Sequence, residues 1–93
     1  MAIADPLTDN ELVSRAKAGE ISAFEELTHR YEGRVYSVAR RILRQDQDAE
    51  DVTQDAFLSA LEHLGSFREE AAFSTWLLRI ATFGALHPPP LAF

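Results

Sequence analysis

Phe24-Glu25-Glu26-Leu27-Thr28-His29-Arg30-Tyr31-Glu32-Gly33-Arg34-Val35-Tyr36-Ser37-Val38-Ala39-Arg40-Arg41-Ile42-Leu43 is the stretch that decides the fold class. Phe24, Leu27, Tyr31, Val35, Val38 and Ile42 recur at steps of three or four, the spacing that puts side chains on one face of a helix. Tyr36, Ala39 and Leu43 widen that face toward half the circumference, the pattern of a helix buried against two neighbours. Gly33 interrupts it at a cost of about 1 kcal/mol against Ala, which predicts a small bend or a close contact.

Working outward, the same period recurs on both sides. Upstream, Thr8 and Glu11 have the spacing of a capping box, Leu12, Val13 and Ala16 form a narrow apolar stripe, and Gly19 supplies a left-handed stop. Ser22 and Glu25 repeat the capping device at the start of the long helix. Downstream, Gln45 to Asp48 is a polar break. A third helix is predicted to start with Asp48 as cap and Glu50 and Asp51 in the first turn, where the helix dipole favours negative charge. Val52, Ala56, Ala60 and Leu64 give its buried face, Phe57 and Leu61 lie beside them, and Gly65 closes it. After the loop Ser66 to Glu70, a fourth helix begins near Ala71 or Phe73 and buries Phe73, Leu77, Ile80 and Ala81. Gly84 and the prolines from Pro88 end it, because proline lacks the N–H and clashes with the preceding turn. With no period-two run of β-branched and aromatic residues, the expected fold is all-α, a compact bundle of about four helices.

The 93 residues allow one domain. Zero cysteines exclude disulfides, thiolate metal sites and a cysteine nucleophile. The start Met1 to Pro6 shows no secretory signal, and no apolar run approaches the roughly 20 residues that cross a bilayer, so a cytoplasmic domain without membrane insertion is expected. Nine basic against fifteen acidic residues, a formal charge of −6, argue against tight binding to duplex DNA by this chain alone, since that affinity comes largely from Lys and Arg neutralising phosphates.

No catalytic constellation emerges, and an enzyme is the class least supported. The cluster Asp46, Asp48, Glu50, Asp51 and Asp55 fails as a calcium loop, because the sixth position from Asp46 is Asp51 rather than Gly and the twelfth is Phe57 rather than Glu. It reads either as capping with a solvated acidic face or as a docking surface for a basic partner. His29, His63 and His87 are scattered, the four glycines are isolated, and neither a metal nor a cofactor is expected. Between Gly65 and Arg79, Phe67, Phe73 and Trp76 accompany Arg68 and Arg79 with Ser66, Ser74 and Thr75. Aromatics beside arginines suit unstacked bases, although Phe73 and Trp76 read more readily as core residues of an amphipathic helix. Phe67 follows a helix stop and falls outside the helical stripe, so Phe67→Ala is expected to weaken base binding with the fold intact.

These residues also carry a family resemblance. Asp48-Ala49-Glu50-Asp51-Val52-Thr53-Gln54-Asp55-Ala56-Phe57-Leu58 resembles the DAEDxxQExF signature of bacterial sigma factors. Phe67-Arg68, Phe73-Ser74-Thr75-Trp76-Leu77 and Arg79-Ile80-Ala81 resemble the F-R…F-x-T-W-L-x-R-I-A pattern that follows it. Leu12-Val13, Gly19-Glu20, Ala23-Phe24 and Tyr31 are similar to the opening L-V…G-D…A-F…Y. The motifs fall in order over residues 9 to 82 and match region 2 of the extracytoplasmic-function group. The resemblance implies a helical domain that binds RNA polymerase and helps to open promoters, with no catalytic residue. It implies that Asp51, Gln54, Asp55 and Leu61 meet the coiled-coil clamp of the polymerase β′ subunit. It further implies that Ser66, Phe67, Arg68, Phe73, Thr75, Trp76 and Arg79 contact the opened non-template strand of the minus-ten element. A base flipped from the duplex would there be read by stacking and by its edge. An anti-sigma factor is a further partner that the resemblance implies.

The sequence departs from the family after Thr82. An Asn and a basic helical continuation usually follow, whereas here come Phe83, Gly84 and the run to Phe93. The expected organisation is an N-terminal extension over 1–8, a region-2-like domain over 9–84, and a divergent proline-rich tail over 85–93 with region 4 absent. A truncation, a shifted reading frame or an expressed fragment would each produce it. Two rivals follow: a sigma-like regulatory module that binds core polymerase or an anti-sigma factor without initiating transcription, and a helical interaction domain whose pattern is historical.

Overall fold

Thr8 opens the first helix as its spacing to Glu11 predicts: its Oγ1 accepts the Glu11 backbone N–H at 3.1 Å. The computed structural model describes residues 6–87, and the expectations for residues 1–5 and 88–93 lie outside the described residues. Helix α1 spans Asp9–Lys17. It ends in a left-handed turn at Gly19 (φ 99°), where the Glu20 N–H reaches the Arg15 carbonyl at 3.0 Å and the Gly19 N–H reaches that of Ala16 at 3.0 Å. This paired closure satisfies carbonyls that the helix end would orphan, and its positive φ is what glycine permits.

Helix α2 spans Ile21–Leu43. Glu20 precedes it with no side-chain cap, so the capping box expected from Ser22 and Glu25 does not form. Ser22 already lies inside the first turn, one residue past the helix start at Ile21. Gly33 is exposed, and a Cβ built on it would meet nothing within 4 Å, so the close contact expected there is absent. Arg44 closes α2 in the left-handed region at φ 63°, its N–H on the Arg40 carbonyl at 2.8 Å.

Helix α3 spans Asp46–Glu62 and begins two residues before the expected Asp48. The reason lies across the hairpin: Asp46 Oδ1 accepts from Arg40 Nε at 2.7 Å and from the Tyr36 hydroxyl at 3.2 Å. These bonds to Arg40 and then to Tyr36 hold the Asp46 carboxyl below its usual 3.8. A carboxylate with a depressed folded pKa stabilises above its unfolded value, and that contribution is lost as the pH falls through the folded one. Asp46→Asn is therefore expected to melt below the parent at neutral pH, with the gap closing below about pH 3.8. A gap that persists unchanged to pH 2, in thermal melts across pH, would sink this account.

Leu64–Ser66 form a single 3-10 turn rather than the last turn of α3, and Leu64 is buried beneath it. Helix α4 spans Phe73–Leu86 and runs through Gly84, where a stop was expected. A Cβ at Gly84 would stand 3.7 Å from Val52 Cγ1, so this glycine lies where α4 packs closely on α3. Helix α4 thus continues past residue 84, and Ala85 is buried.

Helix α2 packs against α1, α3 and α4, and α3 also packs against α4. Val13, Leu27, Val35, Phe73 and Leu77 are fully buried, each worth about 1.5–3 kcal/mol of transfer from water. Ala39, Ala49, Val52 and Ala85 form a second cluster at the far end, where small side chains let three helices approach closely. At the near end the Tyr31 hydroxyl donates to Asp9 Oδ2, and Arg30 Nη1 reaches Asp9 Oδ1 at 3.0 Å, tying α1 to α2. Burial and this carboxylate both raise the Tyr31 pKa.

Candidate functional site

Two surfaces collect the residues singled out from the sequence. The first is the turn and loop between α3 and α4 together with the exposed side of α4. Ser66 and Arg68 are exposed there, and Ser66 Oγ donates to the His63 carbonyl at 2.8 Å. Arg68 has no ion-pair partner among the described residues, and neither has Arg79. Thr75 and Arg79 stand one turn apart on the exposed side of α4, with Trp76 half-buried beside them.

Phe67 departs from its expected place. Its ring is only 3% exposed, edge-on to Phe73 at 5.8 Å between centroids and 4.8 Å from Trp76. Phe73 is 1% exposed and also touches Tyr31, 6.0 Å between centroids. The expectation that Phe67→Ala leaves the fold intact is therefore corrected: the ring is core. It turns inward onto Phe73 and Trp76, in the same core cluster as Leu64 of the 3-10 turn. Lys17 of α1 reaches over the same ring at 5.7 Å from its centroid, and its Nζ donates to the Phe67 carbonyl at 2.6 Å. Lys17, Gly65, Ser66, Phe67, Arg68 and Glu69 line an open pocket of about 640 Å³. Lys17 and Arg68 lend it positive charge, offset in part by Glu69, and its volume lies within the range of small-molecule clefts.

The second surface is the outer side of α3. Asp51, Gln54 and Asp55 are all exposed; Gln47 Nε2 donates to Asp51 Oδ1 at 3.1 Å, and Asp55 has no ion-pair partner among the described residues. Leu61 is 38% exposed. Leu58 at 59% exposure stands out more, and the sequence reading missed it. The signal was present: Leu58 lies one turn from both Gln54 and Leu61, opposite the buried stripe of Val52, Ala56 and Ala60. Gln54, Leu58 and Leu61 line a shallow apolar groove of about 350 Å³ with Phe24, Thr28 and Phe57. Asp55 instead faces a second groove, of about 530 Å³, whose far wall holds Trp76, Arg79 and Phe83. Phe83 is 66% exposed and stacks on His87 with centroids 4.4 Å apart; it too was missed, having been read only as a departure from pattern.

Among the described residues no group of three His, Cys, Asp or Glu side chains could hold a metal, and no helix is long and apolar enough to cross a membrane. What the arrangement offers is an acidic, leucine-bearing helix face on one side and, on the other, a polar loop pocket where Arg68 and Lys17 stand beside Glu69. These are the surfaces of a binding module.

The comparisons with known proteins agree with that class. Residues 27–87 match the Sigma-70 region 2 family, and the chain belongs to it. Over 73 residues it is 41% identical to the RNA polymerase sigma-H factor of Pseudomonas aeruginosa, covering 78% of this chain and 38% of that protein. Over 79 residues it is 42% identical to the extracytoplasmic-function sigma-E factor of Haemophilus influenzae, covering 85% of this chain and 41% of that protein. The chain thus spans about two-fifths of the length of these relatives. Its fold matches, at a TM-score of 0.84 and 40% identity, the NMR structure of an engineered region 2 of sigmaE in complex with GTAAAA. That match covers 90% of this chain and 87% of the other. The all-α region-2 fold expected from the sequence is thereby established.

Proposed function

We propose that this chain works as the region-2 module of an extracytoplasmic-function sigma factor in promoter-directed transcription, in the cytoplasm where polymerase and chromosome meet. The outer side of α3, with Asp51, Gln54, Asp55 and Leu61, docks on the β′ clamp of RNA polymerase, and Leu58 adds apolar area at its centre. The loop Ser66 to Arg68 and the exposed side of α4, with Thr75, Trp76 and Arg79, then take the opened non-template strand of the minus-ten element. Phe73 and Phe67 support that surface from beneath. An anti-sigma factor competing for either face would silence the module.

The observation that carries the reading is the shared region-2 fold of the sigmaE domain that holds GTAAAA. Arg68 and Arg79, which form no ion pair among the described residues, support it, since each can neutralise a phosphate despite the overall charge of −6. Holding separated strands costs the module no chemistry: binding energy for the single strand draws the promoter equilibrium toward the open form. Fluorescence anisotropy with the single-stranded hexamer GTAAAA tests this. The parent should bind, and replacing both Arg68 and Arg79 by Ala should weaken binding and flatten the log–log salt slope by about 1.4, at ~0.7 per phosphate lost. A parent that binds no better than the double variant would overturn the reading.

A further inference from the structure

We propose that Lys17, on α1 and outside the 27–87 family match, is the positioning residue that sets the base-binding loop. The inference rests on the promoter reading above. Among the described residues, the Lys17 bond to the Phe67 carbonyl at 2.6 Å is the sole polar bond that reaches the segment 67–72 from α1 or α2. The segment's other ties are its own turn, Ala71 N–H on the Arg68 carbonyl at 3.2 Å, and short links to its flanks. Fifteen carboxylates are present in this chain, yet Lys17 pairs with none among those described and spends its ammonium on a carbonyl.

The consequence follows from the geometry of the peptide unit. A trans peptide holds its C=O and its N–H in opposite directions, so drawing the Phe67 carbonyl toward α1 turns the Arg68 N–H away from it. That N–H makes no hydrogen bond among the described residues. Lys17 therefore fixes in advance the direction of a free backbone donor and the root of the Arg68 side chain, and Arg68 lines the same pocket as Lys17. Donors fixed before the ligand arrives need no ordering when it binds, and that is where their contribution to affinity and discrimination comes from. The ammonium over the Phe67 ring adds a cation–π contact that keeps the lysine in place.

A positioning role makes a prediction that a diffuse charge effect does not. The GTAAAA hexamer and six derivatives, each with one abasic nucleotide, are titrated against parent, Lys17→Met and Lys17→Arg, with thermal melts recorded alongside. The parent should show one position whose loss costs much more than the others. In Lys17→Met the intact hexamer should bind about tenfold more weakly and the penalty at that position should collapse toward the rest. Lys17→Arg, which keeps a donor, should retain it. If Lys17→Met does not fold, Lys17→Gln, neutral but still a donor, replaces it and should keep most of the penalty. A uniform weakening of all seven ligands would make Lys17 a general charge and overturn the proposal, as would unchanged binding. A parent that binds none of the seven would instead sink the promoter reading itself.

Discussion

Phe67→Ala should lower the thermal midpoint of this domain by about 12–24 °C and abolish binding of single-stranded DNA. The stability figure comes from about 3 kcal/mol for truncating a buried Phe, at 4–8 °C per kcal/mol in a domain of this size. The ring is 3% exposed and meets two other rings, Phe73 edge-on and Trp76 at 4.8 Å. Losing those aromatic pairs removes about 0.5–1.5 kcal/mol each beyond the buried area. The cavity would open under the loop that carries Arg68, so the DNA surface loses its floor together with its anchor. Circular dichroism melts and anisotropy on one preparation read both effects. Phe67→Leu, which keeps most of the apolar volume, should fall well short of the Ala variant. A Phe67→Ala protein that melts with the parent yet fails to bind DNA would restore the ring as a base-stacking group held at the surface.

The contrast between this residue and the helices shows where a sequence stops being legible. Thr8 with Glu11, Gly19, and the stripe of Phe24, Leu27 and Val35 were readable because each is a local device whose partners lie within a turn or two. Periodicity alone therefore gave four helices and most of the core. The errors fall where a partner comes from elsewhere. Asp46 joined α3 because Arg40 and Tyr36 bind it across the hairpin, and α4 ran through Gly84 because Val52 of α3 lies against it. Phe67 was rightly read as a loop residue, but its ring was expected to be free to meet a base, because a helical period says nothing of the packing on Phe73 and Trp76 that buries it. Lys17 was invisible for a related reason: its carbonyl partner is 50 residues away. The motif separated the residues proposed for polymerase from those proposed for DNA, but it could not see that Asp55 shares a groove with Trp76 and Arg79 while Gln54 and Leu61 share another with Leu58.

That division of α3 sharpens what reversing its charges should do. Changing Asp51 and Asp55 together to Lys should weaken binding to a purified β′ clamp fragment by about 100-fold, with the fold unchanged. Stability is insulated because both carboxylates are exposed and neither forms an ion pair among the described residues; Asp51 gives up one bond, from Gln47 Nε2. Surface changes of that kind stay within roughly 1 kcal/mol. Docking is another matter, since each reversal replaces an attraction for a basic partner with a repulsion, Asp51 from the exposed side of α3 and Asp55 from the groove it shares with Trp76 and Arg79. About 1.5 kcal/mol for each, the lower end for close interfacial charge pairs, gives about 3 kcal/mol, or two powers of ten. Part of the loss should return at high salt, because charges at the rim are screened beyond a Debye length of about 10 Å at 0.1 M. Leu58→Ala offers the complementary test: its loss should be independent of salt, since what it removes is apolar area rather than charge. A double reversal that binds the clamp as the parent does would move the docking face off this side of α3, and a Leu58→Ala loss with the same salt profile as the reversal would reduce the leucine to a bystander of the charges.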